Sequence, residues 1–520
     1  MTPSEPRYDV VVLGGAFSGA AAALLLRREL PDLRVLVVER AAAFDEKVGE
    51  ATTEMSGMFL TRRLALWEHL EREHLPKEGL RYWSTNPQVS GHTTASETGG
   101  FVRSTVPSFL LRRDILDEHI LRTAAAEGAE LLRPARAIEV ELGDFDHRVT
   151  IEGPDGGPGN RRTIACRWLL DATGRATFLG KRLDLIERNH EHPTAAVWCR
   201  WRGIRHLDDV AARGPLGFAR RNLSSRRLAT NHYVGFGYWV WFIALGNGET
   251  SVGIVFDRRI HDLHRSRDRE ADYLAFLRSI PAAAELLAGA EMRREDLRLY
   301  SYLPYVTRQY MGPGWALLGD AAAFLDPYYS PGLDHASFTV EGTVGVVAAD
   351  ARGENVAARI ADHNAAFLRS YRRFFLAAFR DKYFYMGEHD LISAAFLLDT
   401  SQYYIFLVIP AYRHFGRFHW LPVLGPRPAF FVYGMMRFYN RRFRSLALAR
   451  RRAGEAGRRN HGRRINAYFD LGVAPLRMAL RGLRLWAAAE LDGLRLALEN
   501  LLLRREPLPA FSEAPKEIGE

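Results

Sequence analysis

The chain has 520 residues, 47% of them hydrophobic and 25% charged, which fits two or three packed units or one large enzyme and excludes a mostly disordered polypeptide. The net charge is +10, but 14 arginines and one acid over residues 413–464 give that segment +13, so the rest carries −3 and is no general polyanion binder. The two cysteines, Cys166 and Cys199, exclude a disulfide framework and zinc or iron–sulfur centres, and they favour a reducing, cytoplasmic location.

The N-terminal segment predicts a strand, a turn, a helix and a second strand. The first apolar strand runs directly into a glycine-rich turn, so we expect no secretion signal there. The turn at residues 14–19 is a near match to GxGxxG in which Ala16 replaces the second glycine. Such a turn brings backbone N–H groups and a helix N-terminus to a pyrophosphate. Glu39 ends the second strand, where a carboxylate can bind a ribose diol, so we predict dinucleotide binding; the alternative is a glycine turn without a ligand.

The pattern changes along the rest of the chain. Strands are predicted around residues 148–151 and 166–171, and apolar residues at helical spacing predict a helix over 114–128. Residues 189–300 predict a β-rich region with a hairpin joined through residues 246–248. Beyond Gly332 strand signals are few, so we predict helices to about residue 505 and a loose tail over 506–520.

Two later motifs indicate which dinucleotide is bound. One apolar strand ends in DATGR at residues 171–175, and another leads into GDAAAFLDP at residues 319–327. Together with the N-terminal turn, and in this order, these motifs resemble the FAD-dependent monooxygenase and halogenase superfamily. The resemblance implies FAD as the cofactor. A second glycine-rich dinucleotide turn is not evident in the sequence, so we expect a separate flavin reductase to supply the electrons.

The resemblance also implies the fold class. This is an α/β fold with an FAD-binding Rossmann-like domain of the glutathione-reductase type (1–188 and 301–350), an inserted β-rich substrate domain (189–300) and a helical C-terminal region (351–505). Asp320 is expected beside the flavin ribose and pyrophosphate. Arg113 is expected to open a helix beside the cofactor; the alternative is a solvated charge at a helix start. The residues expected to bind FAD are Gly14, Gly15, Ala16, Ser18, Gly19, Glu39, Arg40, Ala51, Arg113, Asp171, Gly174, Asp320, Pro327 and Gly332.

Three further segments resemble flavin-dependent halogenases. They are GEAT at residues 49–52, which includes Glu50; KEGLRYW, which begins at Lys77; and WVWFIA, which contains Trp239 and Trp241. From this resemblance we expect the catalytic residues to be Lys77, Glu50, Trp239 and Trp241. In these enzymes halide is oxidised to hypohalous acid, a diffusible oxidant that a buried lysine can orient toward an electron-rich carbon. Two tryptophans on one face of a strand would separate the flavin from the organic substrate. The alternatives are a surface lysine, ordinary aromatic core, and a glutamate that merely starts a helix.

The sequence also departs from the halogenase pattern. Where those enzymes carry Ser or Thr followed by Gly to hold the halide, this chain has Pro331 before Gly332, and proline has no N–H to donate. Tyr329 occupies the position of a glutamate found in tryptophan halogenases, which argues against free tryptophan as substrate. Ala244 replaces the proline that closes the tryptophan motif.

The C-terminal region suggests a surface for partners. Residues 413–464 interleave arginine with aromatic residues, and leucines from 480 to 501 recur at spacings of three or four, which predicts an amphipathic helix. Such a helix can pack on the body, lie on the inner face of an anionic membrane, or receive an acidic acyl carrier protein. Nucleic acid also fits the charge but not a flavin fold. The apolar run at 403–411 is too short to span a bilayer, so we expect no membrane-spanning helix.

These observations favour an FAD-dependent oxidoreductase. The leading hypothesis is an enzyme that uses reduced FAD, oxygen and halide to halogenate an electron-rich aromatic or unsaturated metabolite that is carrier-bound or lipophilic, with Lys77 handling the oxidant. The alternatives are a halogen-independent monooxygenase or reductase of the same superfamily, favoured by Pro331 and Ala244, and a catalytically idle flavoprotein that binds a membrane or carrier protein.

Overall fold

The protein is represented by a computed structural model that describes residues 6–153, 160–212, 222–414 and 427–503; the predicted loose tail at 506–520 lies outside them. The described strands are β1 (Arg7–Leu13), β2 (Val35–Val38), β3 (Leu75–Pro76), β4 (Leu80–Ser84), β5 (Ser96–Gly100), β6 (Phe109–Leu110), β7 (Glu130–Leu132), β8 (Arg136–Glu141), β9 (His147–Glu152), β10 (Arg161–Asp171), β11 (Ile186–Arg188), β12 (Thr194–Arg202), β13 (Thr230–Gly235), β14 (Tyr238–Ala244), β15 (Thr250–Asp257), β16 (Glu291–Met292), β17 (Arg298–Tyr300), β18 (Tyr305–Thr307), β19 (Met311–Gly312), β20 (Trp315–Leu317), β21 (Ala323–Phe324) and β22 (Arg464–Ala467).

Helices alternate with the strands in the first half and dominate the second. The described α-helices are α1 (Phe17–Glu29), α2 (Glu54–Met58), α3 (Trp67–Glu73), α4 (Arg113–Ala126), α5 (Phe178–Arg182), α6 (Leu207–Ala212), α7 (Arg269–Arg278), α8 (Pro281–Leu287), α9 (Gly332–Ala351), α10 (Ala357–Phe374), α11 (His389–Tyr403), α12 (Ile409–Arg413), α13 (Arg427–Arg452) and α14 (Ala474–Leu503).

A parallel sheet forms the nucleotide-binding half, as the N-terminal pattern predicts. Its parallel strands lie in the order β20-β10-β1-β2-β7; β19 and β9 add antiparallel edges, and β8 pairs with β9. The valines and leucines of β1 and β2 are buried because helices cover the sheet, with α1 packed between α4 and α9. This arrangement confirms the Rossmann-like fold class and aligns the carboxyl ends of β1, β10 and β20 at one edge.

The second sheet is mostly antiparallel and has the described strand order β16-β12-β15-β14-β13-β4-β5-β22, with β17 also on β12. The predicted hairpin is confirmed as β14 and β15, and a further turn separates β13 from β14. The sheet draws β4, β5 and β22 from outside residues 189–300. Alternate residues of β14 face different cores: Trp239 and Trp241 face the parallel sheet's side, whereas Val240 and Phe242 pack in a separate core with α7 and α8.

The C-terminal region is helical, but not entirely as predicted. The strand β22 pairs with β5 in parallel and interrupts the helices, a pairing that local sequence does not signal. Residues 389–413 form one continuous helical stretch with a π-helical turn, long and apolar enough to cross a bilayer by composition alone. Because 78% of its most apolar window is buried inside the protein, it has the character of a core helix.

Candidate active site

A continuous cavity of about 1210 Å³ runs from the carboxyl edge of the parallel sheet to the face of the second sheet. Most of the predicted site residues line it: Gly14, Ala16, Ser18, Glu39, Arg40, Glu50, Ala51, Lys77, Arg113, Gly174, Trp239, Trp241, Asp320, Pro327 and Gly332. Gly15, Gly19 and Asp171 are not among its described lining residues. Residues far apart in sequence therefore converge on one space, large enough for a dinucleotide and a second small molecule.

The turn between β1 and α1 has the geometry of a phosphate cradle. Gly14 has φ +94°, and a Cβ there would lie 2.5 Å from the carbonyl oxygen of Ala172. A Cβ on Gly19 would lie 1.8 Å from the carbonyl oxygen of Gly14, so both positions require glycine. Ala16, the N-cap of α1, makes no side-chain capping bond, which leaves first-turn N–H groups available to an anion.

Glu39 lies beside this turn. Its carboxylate accepts hydrogen bonds from the backbone N–H of Gly15 at 2.7 Å and of Ala41 at 2.8 Å, and it is buried at the cavity wall. These bonds fix the carboxylate where a ribose diol would reach it. The cradle and this carboxylate fit the phosphate and ribose groups of FAD.

Arg113 begins α4, as predicted, but it is buried, so the solvated alternative is wrong. It pairs with Asp117 through two 3.1 Å hydrogen bonds and donates to the carbonyl oxygens of Val48 and Gly49 at 3.4 and 3.3 Å. A Cβ on Gly49 would lie 2.5 Å from the guanidinium. Through these hydrogen bonds Arg113 holds the start of the GEAT segment in place at the end of the cavity where the cofactor cradle lies.

Two predicted acids lie at the carboxyl ends of neighbouring strands, Asp171 as the last residue of β10 and Asp320 in the turn after β20, and they differ in their surroundings. Asp320 lines the cavity; burial raises its pKa, while the guanidinium groups of Arg175 and Arg113 oppose the rise. Asp171, predicted to bind the cofactor, holds its own turn instead: its oxygens accept from the N–H and hydroxyl of Thr173 and from the N–H of Leu179, at 2.7–2.9 Å. Both oxygens of its carboxylate are therefore engaged within the fold, whereas Gly174, three residues on, lines the cavity.

Lys77 is buried between β3 and β4, so the surface alternative is wrong. Its Nζ donates to the carbonyl oxygen of Thr52 at 2.6 Å. Burial lowers the pKa of Lys77 to about 8, against the attraction of Glu54 and Asp334. At neutral pH the group is thus an ammonium that gives up its proton readily.

Trp239 and Trp241 are buried and form part of the cavity wall. Their ring centroids are 5.8 Å apart, and their indole N–H groups donate to Tyr383 at 2.8 Å and to Ser251 at 3.0 Å. The satisfied N–H groups hold both rings in fixed orientations. The pair is therefore a rigid wall, although both residues also belong to the core.

Glu50 does not start a helix, because α2 begins at Glu54. Its Oε1 accepts from Arg200 at 2.8 and 3.1 Å, and Arg200 also pairs with Asp296 at 2.9 Å. Glu50 and Arg200 are both buried, so their charges must compensate each other. Glu50 therefore anchors the GEAT segment to the second sheet.

An acidic cluster that was not predicted from the sequence lies beside Lys77. Asp334 of α9 accepts from Thr53 at 2.6 and 2.7 Å and from the N–H of Ser56 at 3.0 Å, and burial raises its pKa to about 6. Tyr404 donates to Glu54 at 2.8 Å. Both acids lie within two residues of predicted motifs, which is the one signal that could have found them.

The loop that departs from the halogenase pattern also lines the cavity. Tyr329 and Ser330 have φ of +72° and +57°, an uncommon conformation for residues other than glycine. Tyr329 donates to Asp399 at 2.8 Å, and the buried Lys382 bonds to both, at 3.0 and 2.8 Å. The N–H of Ser330 donates to the carbonyl of Pro327. These hydrogen bonds hold Tyr329 and Ser330 in their uncommon backbone conformation directly before α9.

Comparisons with known proteins agree with this geometry. A family model described as an FAD binding domain matches residues 7–202. The flavin-dependent halogenase chlA of Dictyostelium discoideum is 25% identical over 459 residues, covering 80% of this chain and 72% of that protein. The sulochrin halogenase gedL of Aspergillus terreus is 27% identical over 406 residues, covering 71% and 68%.

The solved structures show the shared fold. The crystal structure of halogenase PltM in complex with phloroglucinol and FAD superposes with a TM-score of 0.72 at 18% identity, over 93% of this chain and 96% of that one. With the FAD-binding match and the halogenase relatives, the cradle and cavity identify the cofactor as FAD. The chain is therefore a flavin-dependent halogenase-like protein and an FAD-dependent oxidoreductase.

Proposed function

We propose that this protein halogenates an electron-rich aromatic or unsaturated small molecule, with Lys77 handling the oxidant. The observation that carries the proposal is the position of Lys77: a buried lysine with a lowered pKa lines the same cavity as the FAD cradle. When bound, reduced FAD supplies the electrons with which oxygen oxidises halide to hypohalous acid.

Lys77 acts in this proposal as a hydrogen-bond donor. One of its three N–H groups is taken by Thr52, which fixes the ammonium and leaves two N–H groups for an oxidant. Burial strengthens these bonds because the local dielectric is low. The residue therefore holds the oxidant in place and keeps it from diffusing.

The walls of the cavity favour an apolar, aromatic substrate. Beyond Lys77 the lining includes apolar and aromatic side chains from the C-terminal region, namely Phe406, Leu407, Val432, Tyr433, Met436 and Phe469. Trp239 and Trp241 would limit direct contact between the flavin and this substrate. A separate flavin reductase supplies the electrons, and the two unpaired, buried cysteines support a reducing, cytoplasmic location.

The first turn of α9 is the best candidate position for the halide. A helix N-terminus attracts anions, and Gly332 lines the cavity there. Pro331 contributes no N–H, and the N–H of Ser330 is already bonded to Pro327. This shortage of donors favours a second candidate function, a halogen-independent flavin monooxygenase.

One experiment separates the two functions. The protein, loaded with FAD, is incubated with NADH, a flavin reductase, oxygen and bromide, with phloroglucinol as the phenolic probe, and the products are identified by mass spectrometry. A brominated product that requires bromide supports halogenation. A hydroxylated product formed equally without bromide supports the monooxygenase, and absence of both products with a panel of phenols and indoles contradicts both.

A further inference from the structure

Two C-terminal helices expose an unusual amount of apolar surface. Of the 18 exposed large apolar side chains in the described ranges, 12 lie on α13 and α14. On α14, seven of them recur at spacings of three, four or eight and so form one stripe, each 47–76% exposed: Leu476, Leu480, Leu483, Leu491, Leu494, Leu498 and Leu501. Leu502 is also exposed. On α13 they are Phe430, Phe431, Met435 and Phe438. A stripe of this length marks an interaction site, because solvent-exposed leucines in such a row are costly.

The two stripes belong to one surface. The ring of Phe438 lies 5.8 Å from that of Trp486, and the helices are held side by side by an ion pair from Arg442 to Glu490 at 2.6 Å. Further along, a Cβ on Gly493 would lie 2.6 Å from Leu446. Successive contacts thus advance along both helices together, so the helices run in the same direction and lie close to each other. We call the exposed apolar residues of both helices the α13–α14 face.

The charges around the α13–α14 face are positive. Arg437, Arg441, Arg477 and Arg484 are exposed, and no ion pair is recorded for them within the described residues. The acids of the two helices are neutralised: Glu490 by Arg442, and Asp492 and Glu499 by Arg495. A face of leucine and phenylalanine flanked by unpaired arginines matches the acyl chains and anionic headgroups of a lipid surface.

A second copy of the chain fits this face less well. A two-fold interface would bring the same patch against itself, and its arginines would meet arginines because the described residues of this face include no unpaired acid. An acidic carrier protein would pair with the arginines but would not cover the leucine stripe, which extends over about 39 Å of helix.

We propose that the α13–α14 face binds the surface of an anionic membrane, with both helices lying in the interface without crossing it. The inner side of α13 supports this occupant, because Val432, Tyr433 and Met436 line the cavity. Helix α13 thus separates the lipid surface from the cavity. This arrangement would suit a lipophilic substrate that enters from the membrane. Only this last consequence rests on the proposed function; binding to the membrane does not.

Sedimentation with vesicles tests the proposal. The full-length, FAD-loaded protein is mixed with vesicles of phosphatidylcholine alone or with one quarter phosphatidylglycerol. We expect it to pellet with the anionic vesicles, and less so at high salt, because screening weakens the charge attraction. Protein that stays in the supernatant with both vesicles overturns the proposal.

Paired variants locate the contact. Arg477→Gln with Arg484→Gln should lower the partition coefficient roughly 30-fold, because each arginine near an anionic surface contributes about a factor of five. Leu480→Gln with Leu491→Gln should lower it about tenfold or more. The control replaces an exposed leucine and an exposed arginine elsewhere, Leu223→Gln with Arg278→Gln, and should pellet like the unmodified protein.

Two results would identify another occupant. FAD content and circular dichroism verify that every variant is folded. Equal pelleting of all variants places the contact elsewhere and overturns the proposal. If the protein does not bind vesicles but self-associates by light scattering, and Leu480→Gln abolishes that self-association, the face is assigned to a second copy of the chain. Capture of an acyl carrier protein without vesicle binding assigns it to that partner.

Discussion

Lys77 donates a 2.6 Å hydrogen bond to the carbonyl oxygen of Thr52, which joins two sequence motifs that were recognised separately. Thr52 closes the GEAT segment, and Lys77 precedes β4 of the second sheet. The backbone N–H of Thr52 is in turn bonded to the carbonyl of Phe109 at 2.9 Å. The ammonium is therefore positioned by a segment that Arg113 and Glu50 also hold, and movement of that segment would displace it.

Replacing Lys77 tests its role. Lys77→Met should reduce halogenated product roughly 100-fold or more, because the donor to the oxidant is lost. FAD binding and oxygen consumption should be unchanged, since Lys77 lies beyond the cradle. Absorbance of bound flavin, an oxygen electrode and product mass spectrometry give the three readouts. Product formation at the normal rate would remove Lys77 from the mechanism.

The lowered pKa of Lys77 predicts a pH dependence. Burial brings this pKa down from 10.5 to about 8, so the ammonium is present below that pH and is lost as the pH rises through it. We therefore expect product formation to fall above about pH 8 while FAD remains bound. The residual rate of Lys77→Met should show no such break, and an identical break in both proteins would contradict the assignment.

The cradle predicts contrasting effects of one substitution at two helical glycines. Gly19→Ala should abolish FAD binding, because the added Cβ would lie 1.8 Å from the carbonyl oxygen of Gly14. Gly345→Ala in α9 is the control: its Cβ meets nothing within 4 Å, and alanine should stabilise the helix by about 0.5–1 kcal/mol. Flavin absorbance after gel filtration and thermal unfolding measure the two effects. Full FAD content in Gly19→Ala would show that the turn is not the cradle.

The buried ion pair of Glu50 predicts a loss of stability. Glu50→Ala should lower the free energy of unfolding by about 3 kcal/mol, because one of the two carboxylates that compensate the buried Arg200 is removed. Glu295→Gln is the control, since that side chain is 73% exposed, and it should leave stability nearly unchanged. Urea unfolding measures both. A loss of product without a loss of stability would instead indicate that Glu50 touches the reactants.

The proline before α9 predicts an effect on halide use. Pro331→Ser restores a backbone N–H and a good N-cap, so the KM for bromide should fall about 3-fold to 10-fold, equivalent to one added hydrogen bond. Pro281→Ser at the start of α8, away from the cavity, is the control and should leave this KM unchanged. An unchanged KM in Pro331→Ser would place the halide elsewhere.

Sequence motifs indicated the cofactor end of the site because the steric requirements of a phosphate-binding turn involve residues that are close together in sequence. Gly14 and Gly19 satisfy steric demands within a single turn, and the strands before Glu39 and Asp171 are read from continuous apolar runs. Lys77 illustrates the limit: it follows Pro76 in a segment that contains many charged residues, and only the fold of β3, β4 and the GEAT segment buries it. Asp171 shows a different limit: its motif is visible in the sequence, but only the structure shows that the carboxylate accepts hydrogen bonds from the backbone of its own turn.

Pairings between distant segments could not be predicted. The strand β22 has four residues and lies between two long helices, and its partner β5 is more than 360 residues earlier in the chain. Such short strands are set by tertiary contacts and not by their own composition. The acidic cluster around Asp334 is likewise assembled from α2, α9 and α11, which no local pattern links.

The pairing of β22 with β5 also constrains how the polypeptide acquires its structure. During synthesis β5 emerges early, yet its outer edge stays unpaired until β22, more than 360 residues later, has left the ribosome. An open edge of this kind invites association with other chains, and contacts of such sequence separation form slowly. Truncation before residue 464 should therefore yield aggregation-prone material, and a chaperone that shields nascent chains should raise the yield of the full-length protein.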